Sequence, residues 1–220
     1  MLISLRAASV LLVPIVAVLA SAAAPAHAAT HFFASLTNFQ ENPPVTPTLS
    51  SGGFRPASFG TATFILNDAQ TSLTFSATIF NIDFTGFQTT DTNDNLVNAH
   101  IHAGPNAVPG TNAGVVWGFI GMPFNDTNPT DTVVTPFANG VGGTVIGKWD
   151  ASEGNNTTLT AQLPNILSNR SYINFHTVQF PGGEVRGQIV AAPEPGSAVL
   201  LGPVLMGMMT LGAVCRRRKA

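Results

Sequence analysis

Charge and cysteine are both scarce in this chain. Of 220 residues, nine are Lys or Arg and eleven Asp or Glu, and the one cysteine, Cys215, stands close to the C-terminus. A single cysteine excludes an intrachain disulfide, and its position leaves no thiol for nucleophilic chemistry upstream. Five of the nine cations lie at the ends: Arg6, Arg216, Arg217, Arg218 and Lys219. Between them, residues 29–192 hold Arg55, Lys148, Arg170 and Arg186 against ten carboxylates. With no basic patch to neutralise phosphates, nucleic acid is excluded as a partner. No Gly-x-Ser-x-Gly elbow is present, which leaves ordinary serine hydrolysis without support.

Long apolar runs occur at the two ends alone. Arg6 is followed by an apolar stretch from Ala7 to Ala24 and then by "APAHA", where Ala26 and Ala28 suit a signal peptidase. Residues 1–28 therefore read as a removed signal peptide. At the other end an apolar run, 198–215, would measure about 27 Å as a helix, enough to cross a bilayer. The cations after it would stay on the cytoplasmic side and place the preceding chain across the membrane. The order Pro193-Glu194-Pro195, apolar helix, then Arg216, Arg217 and Arg218 closely resembles the PEP-CTERM sorting signal of Gram-negative bacteria. That resemblance implies an exosortase as processing partner, transient membrane insertion, and release to the cell surface or extracellular matrix.

What remains, residues 29–192, is rich in Val, Ile, Phe and Thr in short runs separated by Gly, Pro, Asn and Asp. This predicts an all-β fold, a single Greek-key-like β-sandwich or barrel of about eight strands. The expected strands are 31–38, 59–67, 72–80, 96–104, 114–121, 142–150, 157–164, 171–177 and 183–191. Residues 40–58 and 122–141 read as Pro- and Asn-rich loops. With few charges available, the surface must be carried by Thr, Asn, Ser and Gly.

Alternation along "VNAHIHAG" sends Asn98, His100 and His102 to one face and Val97, Ala99 and Ile101 to the other. Neighbouring imidazoles on such a strand are about 6.5 Å apart. In the last hairpin, Tyr172, Asn174 and His176 share a face with Glu184, Arg186 and Gln188, and a turn over 177–183 sets His176 opposite Glu184, Asn174 opposite Arg186 and Tyr172 opposite Gln188. Two readings follow. The groups satisfy one another as a polar network, or His100, His102 and His176 form a metal site for copper or zinc, with Glu184 orienting an imidazole and Arg186 attracting a small anion. His31 offers a separate Cu(II) site if cleavage after Ala28 leaves Ala-Thr-His at a new N-terminus. "GGTVIGKW" has phosphate-loop spacing, but Trp149 replaces the metal-binding hydroxyl. "DTNDN" begins like a calcium loop, but Leu96 and His102 stand where glycine and glutamate are required.

"ENPPV" (Glu41 to Val45), "AHIHAGP" (Ala99 to Pro105), "YINFHT" and "PGGEVRGQI" together resemble the CHRD domain, named for chordin, over roughly residues 31–190. The resemblance implies fold and an exported location; with the targeting signals and the missing catalytic motifs, the expectation is a non-enzymatic binding or structural module with extracellular polysaccharide or an envelope protein as partner. A fainter similarity is to copper/zinc superoxide dismutase, whose His-x-His strand, later histidine and C-terminal arginine would correspond to His100, His102, His176 and Arg186. Residues 29–192 contain no fourth histidine at a bridging position, and no His/Asp cluster follows His102.

Overall fold

The computed structural model describes residues 29–192. The expected signal peptide, the sorting signal and the apolar run 198–215 lie outside the described residues. Among those described, no helix is long and apolar enough to cross a membrane.

Ten strands form one antiparallel sheet: β1 (Thr30–Thr37), β2 (Phe59–Leu66), β3 (Ser72–Phe80), β4 (Leu96–Ala103), β5 (Val115–Ile120), β6 (Val133–Pro136), β7 (Gly142–Asp150), β8 (Ser171–Thr177), β9 (Val185–Gln188) and β10 (Val190–Ala191). A helix, α1 (Leu159–Leu167), and a 3-10 turn, Asn38–Gln40, complete the elements. The strand order is β5-β4-β8-β9-β1-β2-β3-β7-β6, with β10 also against β1. The predominantly β character follows the expectation, but the architecture is neither a two-sheet sandwich nor a closed barrel. Strand β1 pairs with β2 along its length and touches β9 at Thr37 and Arg186, so the two halves are continuous and the sheet curls into a half-barrel.

The curl creates the core. Strict alternation in β2 and β3 buries Ala62, Phe64, Leu66, Leu73, Phe75, Ala77 and Ile79 on the inner face. These meet side chains from the far end of the same sheet. Phe75 lies edge-on to Trp117 of β5 at 5.9 Å, and Trp117 stacks on Trp149 of β7 at 5.7 Å. Both indole N–H groups are satisfied by Glu153, through its carboxylate for Trp117 and its backbone carbonyl for Trp149. On the outside, Ser35, Thr61, Thr78, Thr144 and Thr135 stand in register across five strands as a row of hydroxyls, and Lys148 on the same face of β7 pairs with Asp131 and Asp150.

Two local assignments change. Residues 157–164, expected as a strand, contribute instead to α1. Leu159 and Leu163 fit a period of two as well as a helix, but Ile166 extends the buried set to i, i+4, i+7, and Thr158 caps the start by accepting from the Ala161 N–H. Pro164, inside the helix, made that stretch read as an end. β6 falls in an expected loop; it is a fully exposed edge strand, without burial alternation to betray it, and closes on Pro136.

Replacing Trp117 by Ala removes the ring that joins the two halves of the curl, and should cost about 3–5 kcal/mol in urea unfolding. A cost below about 1 kcal/mol would show that the halves do not depend on this contact.

Candidate metal centre

Strands β4, β8 and β9 are neighbours, and pairing places His102 beside Tyr172, His100 beside Asn174 and Asn98 beside His176. On the other side of β8, Tyr172 pairs with Gln188 and Asn174 with Arg186, as the hairpin reading expected. Ala99, Ile101, Ile173, Phe175 and Val185 turn into the core, so the polar side chains share the opposite face. That face is covered as well. Every residue of β8 is buried, because segments around 40–45, 104–113, 121–125 and 179–183 fold over it.

The three histidines converge on one point, with one ring nitrogen of each within 4.8 Å of the others. Their remaining nitrogens face backbone carbonyls: His100 Nε2 lies 3.0 Å from Met122 O, His102 Nδ1 2.9 Å from Ala113 O, and His176 Nδ1 3.0 Å from Pro181 O. A carbonyl oxygen only accepts, so each outer nitrogen carries the proton and each neutral ring turns a lone pair inward. Burial, above all, lowers the basicity of all three: His100 is depressed, His102 falls to about 3 and His176 to about 4. His100 Nδ1 and His176 Nε2 are 3.2 Å apart, and His102 Nε2 is buried without a hydrogen-bond partner. Two facing lone pairs and an orphaned third are what a cation would satisfy. Tetrahedral zinc, with Zn–N near 2.0–2.1 Å, sets its nitrogens about 3.3 Å apart.

The expected outer residues take other roles. Glu184 lies beyond the paired stretch of β9, which ends at Phe175 and Val185, and its backbone N–H bonds to Phe175 O at 2.8 Å, so the expected pairing with His176 does not form. Its carboxylate, however, meets Arg55 at 2.7 Å together with the Ser58 and Thr177 hydroxyls, and is hydrogen-bonded to none of the three imidazoles. Carbonyls orient the histidines instead. Arg186, 1% exposed, donates to Thr111 O at 2.7 Å, Val108 O at 3.1 Å and Asn112 Oδ1 at 3.4 Å. Its guanidinium carbon lies 3.5 Å over the Tyr172 ring, which stacks on His102 at 4.6 Å. Arg186 thus tethers segment 104–113, which supplies the Ala113 carbonyl to His102. His31 stands apart, exposed on β1 opposite Ile65.

Sequence reasoning gave no role to Arg55, to Glu41 or to the three carbonyls. Carbonyls carry no residue signature, and Arg55 lies in an unpatterned loop 129 residues from Glu184. Glu41 had a cue in "ENPPV". Burial raises its carboxyl to about 7, against the lowering influence of Arg186 and Asn174. It rests against Gly183, where any Cβ would come within 2.8 Å of both carboxylate oxygens and φ is +131°.

These shifts fix the sign of a pH dependence. A histidine depressed in the folded state takes up protons in the unfolded chain first, so its contribution is intact above 6.5 and erodes as pH falls toward 4 and 3. Glu41, raised in the folded state, acts oppositely as pH falls from 7 toward 4.5, its ordinary value in the unfolded chain. Three imidazoles outweigh one carboxyl, so the metal-free protein should lose thermal stability between pH 6.5 and 4.5. His176→Gln should flatten that decline, and an unchanged slope would contradict the assignment.

The model of the CHRD domain family matches residues 32–189. No significant match to a curated protein or a solved structure accompanies it. With nearly the whole described sheet and all three histidines inside the matched region, the chain belongs to the CHRD domain family.

Proposed function

We propose that the protein is an exported, non-enzymatic binding module that holds a zinc or copper ion on His100, His102 and His176. The observation that carries the metal reading is the set of three buried imidazoles whose outer nitrogens are all spoken for by carbonyls. Neutral rings fixed in this way are ready ligands, since metal binding then displaces no proton from them. A bound ion would gain from nitrogen donors alone, which suits zinc and, by intrinsic affinity, copper even more. A three-nitrogen set leaves a coordination position for solvent or a partner group. The dismutase-like redox alternative is less well served: the other described histidine, His31, lies outside the cluster, and Arg186, which would attract the anion, directs both Nη atoms to segment 108–112.

Export rests on the order of the sequence signals. Residues 1–28 would be removed by signal peptidase, and the segment from Pro193 would be handled by an exosortase during transient membrane insertion. The domain would then reside at the cell surface or in the extracellular matrix. Mass spectrometry of the mature protein should find a chain beginning after Ala28; retention of Met1 in extracellular material would count against this route.

Protein purified without affinity histidines should contain close to one zinc or copper per chain by elemental analysis, and His102→Ala should bring this near zero while β-rich circular dichroism persists. Equal metal in both would overturn the site. Gly118 offers a test that leaves every ligand in place. A Cβ there would lie 1.7 Å from Pro123 O and 3.0 Å from the His100 ring, so Gly118→Ala must push back the segment carrying the Met122 carbonyl. Zinc affinity in a chelator competition should fall by about 10–100-fold.

A further inference from the structure

Away from the histidines, the same sheet end opens a second site. Phe39, Glu41, Pro44, Pro109, Arg186 and Gln188 line a cleft of about 270 Å³. Its polar atoms are unequally satisfied. Glu41, 6% exposed, has Oε1 buried without a hydrogen-bond partner, and so has Gln188. The Gln188 amide nitrogen is committed to Ala107 O and Asn169 O, at 2.7 and 2.8 Å, which fixes its oxygen as an acceptor. The cleft therefore presents two buried acceptors awaiting donors, an arrangement that is costly unless something supplies them.

The surroundings narrow what that is. An anion is unsuited, because Glu41 stands beside the guanidinium and three Arg186 hydrogen bonds already go to Val108 O, Thr111 O and Asn112 Oδ1. A metal ion is opposed by the guanidinium charge, and the cleft has only one carboxyl. An apolar ligand would strand both acceptors. A neutral molecule with several hydroxyls fits: it donates to Glu41 and Gln188 and leaves the charge balance of the floor unchanged.

The rim points the same way. Phe39 is 82% exposed, yet it is not on a loose loop. Its neighbours in the 3-10 turn are anchored, Asn38 to Glu184 O at 2.7 Å and Gln40 to Ser35 O at 2.5 Å. A rigidly held, solvent-facing ring beside a polar floor is a platform for the C–H face of a pyranose.

We infer that this cleft binds a neutral sugar residue, stacked on Phe39 with hydroxyls donated to Glu41 and Gln188. The site is independent of the metal reading. Saturation-transfer NMR on the full chain, using maltose, cellobiose, laminaribiose, chitobiose, lactose and mannobiose as probes at millimolar concentration, should detect binding of at least one. Phe39→Ala, whose side chain is outside the core, should weaken that binding about tenfold, and Glu41→Ala should weaken it similarly, while stripping metal with a chelator should leave it unchanged. Sodium acetate and sodium sulfate should not compete. Silence from all six disaccharides, binding indifferent to Phe39→Ala, or displacement by either salt would each overturn the inference; loss of metal to a chelator with sugar binding retained separates the two sites.

Discussion

The polar face of the sheet depends on a buried guanidinium. Arg186 brings a full charge beneath the surface, where leaving it without partners would be prohibitive. It is accommodated by the carbonyls of Val108 and Thr111 and by the Tyr172 ring. Those contacts pull segment 104–113 down over β8, and Gln188 adds a bond to Ala107 O in the same segment. Because the segment is fixed, its Ala113 carbonyl meets His102, and Tyr172 is held between the arginine and the imidazole. One charge thus organises the cover, and the cover orients a candidate ligand.

The second buried charge pair does different work. Arg55 and Glu184 approach to 2.7 Å with neither side chain appreciably exposed, and Ser58 and Thr177 complete the carboxylate. The pair joins the loop before β2 to the start of β9. Removing one partner of such a pair typically costs about 3–5 kcal/mol, because the other is left charged and dry. Glu184 is therefore committed to architecture, and carbonyls orient the imidazoles without adding charge to the site. Asn38 reads the same strand end through Glu184 O, which connects this pair to the turn that presents Phe39.

Much of this was legible along the chain. The expected bounds of β2, β3, β7 and β8 agree with the structure to within a residue: alternation is unbroken in β2 and β3, and Asn67, Asn81, Gly142 and Asp150 mark strand ends. The cross-strand register of Asn174 with Arg186 and Tyr172 with Gln188 followed from the length of the turn alone. Segment 157–164 was misread because Leu159 and Leu163 satisfy both periods, and only burial of Ile166 discriminates. β6 was invisible because an exposed edge strand has no buried face to impose a pattern.

The sequence by itself determined the β class, the sidedness of His100, His102 and His176, and the scarcity of charge, because side-chain alternation and composition are local properties. Whether the sheet closed, how β4 came to lie beside β8, and which atoms faced the imidazoles were decided only in three dimensions. The reason is physical: strand order and loop cover are set by long-range burial, and a backbone carbonyl, the group that orients each histidine, is the same in every residue. The partner of Glu184 was hidden likewise, since an arginine distant along the chain becomes its neighbour only when the sheet curls.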